Sequence, residues 1–142
     1  MTHYELIDVA NMNDPRAALL CARFNLRSGK RRLQKGLTME GMIALYDSVL
    51  FGMRYYIIKH KDCESLVQNI EVWDAVRLFQ ALARAGVFDD PLTFNRFSLA
   101  VERALWQKSF SFDANATFAE VETLLMKLGI MSFPQSVRPG EV

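Results

Sequence analysis

Cysteine and histidine are scarce in this chain of 142 residues: Cys21 and Cys63 share no CxxC spacing, and His3 and His60 lie far apart. A zinc site of the usual Cys/His type is therefore not expected, nor is any other metal or cofactor. The first twelve residues contain Glu5 and Asp8 and lack the apolar core of a signal peptide. With no export signal ahead of them, the thiols read as unpaired in a cytoplasmic protein, the alternative being a Cys21–Cys63 disulfide. The net charge is only +1. That excludes a uniformly basic nucleic-acid binder but leaves room for a local basic patch. No stretch alternates apolar and polar residues long enough for a strand, and there is no internal repeat or low-complexity tract. Nucleophile elbow, Walker loop, GxGxxG, HExxH and EF-hand patterns are all missing, and no carboxylates are paired in the manner of a glycosidase.

What is present is ordinary globular material, 51% hydrophobic and 23% charged. This length suits one domain with a single core and no need of a disulfide or metal staple. One segment, 41–58, reads GMIALYDSVLFGMRYYII and imitates a membrane span. Asp47 and Arg54 would be costly at bilayer depth, so a central helix of a soluble bundle fits better and no membrane association is expected.

Proline and glycine punctuate helices. Asp14-Pro15 is a start signal and Gly36 a stop, which predicts a first helix over about 15–35. Thr38 is the expected cap of a second, about 39–59, where Ile43, Leu50 and Ile57 repeat every seven residues beside Tyr46, Met53 and His60. Gly41 and Gly52 in that helix suit close approach by a neighbour. A third helix is expected over about 70–85, with Val72, Val76, Phe79 and Ala83 inward and Gly86 as its stop. Asp89-Asp90-Pro91 opens a fourth, about 91–107, with Phe94, Phe97, Val101 and Leu105 inward. After the loop SFSFDANA, Thr117 and Glu120 read as the capping box of a short fifth helix. Its stripe is Phe118, Val121, Leu125 and Leu128, and Gly129 ends it. The whole is predicted to be all-α, an up-and-down bundle of four to five antiparallel helices in one domain over 1–142. The core is expected over about 15–128, and 130–142 as a loose arm.

Charge is unevenly placed. Between Asp14 and Glu40 stand seven basic residues and no acidic one: Arg16, Arg23, Arg27, Lys30, Arg31, Arg32 and Lys35. Arg16, Arg23, Arg27, Lys30 and Gln34 share roughly one helical face, with Arg31 beside it. Such a stripe can follow a phosphate backbone; the plain alternative is a solvated face whose cations favour the helix C-terminus. Arg23, Arg27, Lys30 and Arg31 are the candidate nucleic-acid or nucleotide contacts. Asp47 and Arg54, seven residues apart, are too far along one helix to bond each other, so a buried ion pair between Asp47 and Arg103 is expected instead. Arg54 and His60 combine a phosphate-stabilising guanidinium with a proton-transferring imidazole, but on a continuous helix they point about 120° apart. Phe51 and Tyr55 lie off the main seam of the second helix and are expected to need cover from a second copy.

The run ARFNLRSGKRRLQKGLTMEGMIALYDSVLFGMRYYII resembles the first helical hairpin of HEPN domains, and LFQALARAGVFDD, FNRFSLAVERALWQ and TFAEVETLLMKL are similar in order to the later helices. The resemblance spans about 15–128 and implies a dimeric helical bundle. Members of that family include metal-independent ribonucleases of toxin–antitoxin or defence systems and non-catalytic partners of nucleotidyltransferases. Active members carry R-x4-6-H, commonly with a polar residue after the arginine. Arg54 and His60 match the spacing, but Tyr55 stands where the polar residue would be. At the family's usual later position the chain has Arg103-Ala-Leu-Trp-Gln-Lys, without a histidine. The resemblance thus implies a non-catalytic module that contacts a nucleotidyltransferase-type partner or nucleic acid. An RNase using Arg54 and His60 and a purely structural adaptor are the alternatives.

Overall fold

The computed structural model describes residues 14–107 and 113–131. Among the described residues there are five α-helices, α1 Pro15–Gln34, α2 Thr38–Lys59, α3 Ala75–Arg84, α4 Leu92–Trp106 and α5 Ala114–Lys127, with a 3-10 turn at Lys61–Cys63. The described residues contain no strand, and the protein is an all-α bundle. The N-terminal residues 1–13, part of the SFSFDANA loop and the tail beyond Met131 lie outside the described residues.

α1 starts where short-range chemistry requires it. The Asp14 carboxylate accepts from the Arg16 backbone N–H at 2.9 Å, and Pro15 occupies the first turn, where its missing N–H costs nothing. Gly36, at φ +79°, closes the helix in the left-handed conformation that glycine adopts without strain. α2 follows directly and runs back along α1. Ser48 Oγ donates to the Ala22 carbonyl at 2.6 Å, Gly29 faces Leu45, and Leu33 faces Gly41. Residue numbers thus fall on one helix as they rise on the other, as an antiparallel hairpin requires. Gly29 and Gly41 let the axes approach: a Cβ built on Gly29 would lie 2.7 Å from Leu45 Cδ2, and one on Gly41 would lie 2.8 Å from Leu33 Cδ2.

The core forms around α2, where Met42, Leu45, Val49, Phe51 and Met53 are all essentially buried. Three helices and one turn add an aromatic cluster. Phe79 stacks on Phe94 with centroids 4.7 Å apart and on Phe88 at 4.6 Å, while Tyr46 and Phe97 flank Phe94. Gly52 admits Leu125, Leu128 and Ile130 from the α5 end.

Several boundaries and faces differ from expectation. Thr38 is the first helical residue of α2, not its cap; Leu37 precedes it without a side-chain bond. α3 starts at Ala75 rather than near 70, because the Asp74 carboxylate accepts from the Arg77 N–H at 3.1 Å and turns fill 64–70. Its buried side chains are Ala75, Leu78, Phe79, Ala81 and Leu82, whereas Val76 is exposed. α5 begins three residues before Thr117, capped by Asp113 onto the Ala116 N–H, and Glu120 instead pairs with Arg96. Ile43 and Leu105 are exposed rather than inward. Ile130 belongs to the core, not to a loose arm: it is fully buried, and Arg23 Nε donates to its carbonyl at 3.1 Å. Among the described residues no helix is long and apolar enough to cross a membrane.

Cys21 and Cys63 are both free and buried. Burial pushes both thiols above their ordinary pKa, and Asp62 raises Cys63 further. A protonated, enclosed thiol is a poor nucleophile. The folded protein is therefore expected to react little with a chromogenic disulfide reagent at neutral pH and to release two equivalents in denaturant. Its melting temperature is expected to be the same with and without reductant. Fast titration of both thiols in the native state would contradict this packing.

Candidate functional site

The basic stripe is real as a surface but divided in use. The buried side of α1 is formed by Ala18, Cys21, Ala22, Asn25, Ser28 and Gly29. At 100° per residue the opposite side carries Arg16, Arg23, Arg27, Lys30, Arg31 and Gln34. Arg23 ties α1 to the end of α5 through Ile130, and Arg16 lies 3.6 Å from Asp14. Lys30 Nζ stands over the Phe118 ring, 5.3 Å from its centroid. Arg27, Arg31, Arg32 and Lys35 are exposed and enter no ion pair among the described residues. Four cations within nine positions, with no carboxylate partner among the described residues, make this end of α1 locally positive.

The fold adds groups that the stripe alone did not reveal. The first turns of α5 lie against the second half of α1, where Lys30, Leu33, Gln34, Ala114, Asn115 and Phe118 line a cavity of about 270 Å³. An aromatic ring and two side-chain amides thus stand beside the cations. No local pattern could have announced this, because Phe118 lies 88 positions after Lys30 and reads in sequence as one of the core stripe of α5. Glu122 is near enough to feel Lys30, and burial raises its pKa against that cation's lowering effect.

Arg54 and His60 are not brought together in the wall of one described cavity. Arg54 lies half-buried on α2 and lines a second cavity, about 300 Å³, with Ile57, Ile58, Glu64, Val67 and Gln68; His60 is not part of its wall. His60 is the C-cap of α2 and is exposed. Its Nδ1 lies 3.0 Å from the Tyr56 carbonyl, which can only accept, so this nitrogen carries the proton. The ring stacks on Tyr56 with centroids 3.9 Å apart. These contacts give His60 a packing role at the helix end. The residues of the expected buried pair, Asp47 and Arg103, are not both enclosed: Asp47 is half-buried on α2 and Arg103 is exposed on α4.

The apolar surface also lies elsewhere than expected. Phe51 is buried in its own chain, its ring edge-on to Trp73 at 5.8 Å, and Tyr55 packs partly against the core. The exposed apolar row is on α4 instead: Leu92, Leu99 and Trp106 are 58%, 55% and 83% exposed and stand seven residues apart. No family model, no curated protein and no solved structure matches this chain.

Proposed function

We propose that this protein is a HEPN-like, non-catalytic binding module that works as a dimer and contacts single-stranded nucleic acid through the outer face of α1. The observation that carries the reading is the set of exposed cations Arg27, Arg31, Arg32 and Lys35, none of them ion-paired among the described residues. Contacts to phosphate release condensed counterions, so the affinity of such a face falls steeply with salt. The adjoining Phe118, Gln34 and Asn115 favour single strands, whose unstacked bases can meet a ring and amides. Dimerisation is supported by the α4 row, since apolar side chains repeated every seven residues suit packing against a second helix. The separation of Arg54 from His60 favours binding over cleavage.

Fluorescence anisotropy with a labelled single-stranded RNA of about 20 nucleotides tests the reading. Binding is expected to weaken with salt. Arg27→Ala with Arg31→Ala should flatten the log–log salt slope by about 1.4, at roughly 0.7 per lost phosphate contact on a single strand. Sedimentation should give twice 16.3 kDa. RNA that remains intact in wild type, and any trace cleavage that persists in His60→Ala, fit a binding module. Metal-independent cleavage abolished by both Arg54→Ala and His60→Ala would establish the nuclease instead. A salt slope unmoved by the double substitution would return the stripe to an ordinary solvated face.

A further inference from the structure

The second cavity is independent of the α1 face, and its wall includes Arg54, whose Nε is the one buried polar side-chain atom without a hydrogen-bond partner among the described residues. A buried donor left unmade is costly, more so on a charged group. Desolvation already pulls this guanidinium below its ordinary pKa, yet arginine keeps its proton, so the charge stays in the cavity wall. Glu64 lines the same cavity, but the two form no ion pair. Two residues of opposite charge thus line one cavity without forming a pair. Ile57, Ile58 and Val67 line the same cavity, with the Gln68 amide as a further polar group.

We propose that this cavity binds a small zwitterion with an aliphatic body, a free α-amino acid of the leucine or valine kind. The carboxylate would meet the terminal amino groups of the Arg54 guanidinium, since Nε is enclosed. The ammonium would face Glu64 and the C-terminal end of α2, where the helix dipole favours positive charge. The aliphatic side chain would cover Ile57, Ile58 and Val67. A zwitterion satisfies both charges at once, whereas a simple anion would meet the Glu64 carboxylate and a simple amine would leave Arg54 unpartnered. The volume, about 300 Å³, is at the small end of ligand sites and suits a molecule of this size.

The test is titration of the full chain with L-leucine, followed by the methyl resonances of Ile57 and Ile58. Saturable shifts are expected. The same series with 4-methylpentanoate, which lacks the ammonium, and 3-methylbutylamine, which lacks the carboxylate, is expected to bind about ten- to a hundredfold more weakly, the usual cost of one charge-assisted bond. Arg54→Met should abolish the response to L-leucine. Glu64→Gln, at an exposed position, should weaken L-leucine but not 4-methylpentanoate. Absence of saturable shifts with L-leucine would overturn the proposal. So would equal affinity for the deaminated acid, or a Glu64→Gln melting temperature lowered as much as by Arg54→Met, which would mean that Glu64 is simply the counter-ion of Arg54.

Discussion

Phe94→Ala is expected to remove about 3–5 kcal/mol of folding stability, the usual cost of deleting a buried aromatic ring. Phe94 is 1% exposed and touches rings from three other places in the chain: Phe79 on α3, Tyr46 on α2 and Phe97 one turn on. Each aromatic pair adds roughly 0.5–1.5 kcal/mol to area burial, and the surrounding helices cannot collapse into the space because each is held by its own contacts. A domain of this size has about 5–15 kcal/mol in total, so the variant should melt roughly 10 °C or more below the wild type. Leu20→Ala is the control. Leu20 is 54% exposed, and its loss should change stability by less than about 0.5 kcal/mol. Chemical denaturation of both variants decides the matter. A Phe94→Ala loss below about 1 kcal/mol would mean that the cluster is not packed as described.

Gly29→Val is the second large effect, and its sign runs against helix propensity. Replacing a mid-helix glycine normally helps an isolated helix by several tenths of a kcal/mol up to about 1. Here a Cβ would fall 2.7 Å from Leu45 Cδ2, 2.9 Å from Leu45 Cγ and 3.1 Å from the Gly41 carbonyl oxygen. Side chain and backbone on α2 both obstruct it, so α1 and α2 must separate. Overpacking of this kind costs about 1–3 kcal/mol, and the β-branched valine adds a second methyl to the clash. Adding Leu45→Ala makes the test specific. Leu45→Ala alone leaves a cavity, but in the Gly29→Val background it also relieves the clash, so the double variant should lose less than the two single losses added together. Strict additivity, or stabilisation by Gly29→Val, would contradict the close approach of the hairpin.

How much of this was legible beforehand depended on the range of the interaction concerned. Asp14-Pro15, Gly36, Gly86 and Gly129 marked helix ends correctly, because capping bonds and left-handed turns are settled within a few residues. The all-α class was legible for the same reason: apolar spacing of three and four, with no alternation, leaves little else to build. Even locally, two candidate caps can compete. Asp74 prevailed over the polar joint before it, and Asp113 over Thr117, and each shifted a helix start.

What a helix faces was decided only when the others were in place. α2 is apolar nearly all round, so its pattern could not say that Phe51 turns into its own core while Ile43 stays outside. The seven-residue rows of α2 suggested a seam, yet the uncovered row is on α4. Arg54 and His60 were close in number but are divided by the helix turn, one into a cavity and one onto Tyr56. Lys30 and Phe118 were far apart in number and are brought together because α5 returns to α1. The sequence by itself determined the helices, most of their ends and the basic content of α1, all set by bonds and charges a few residues apart. Only the tertiary structure decided which cations stay unpaired, which rings join them, and that Arg54 and Glu64 line one cavity, because those depend on contacts across tens of residues that no local pattern encodes.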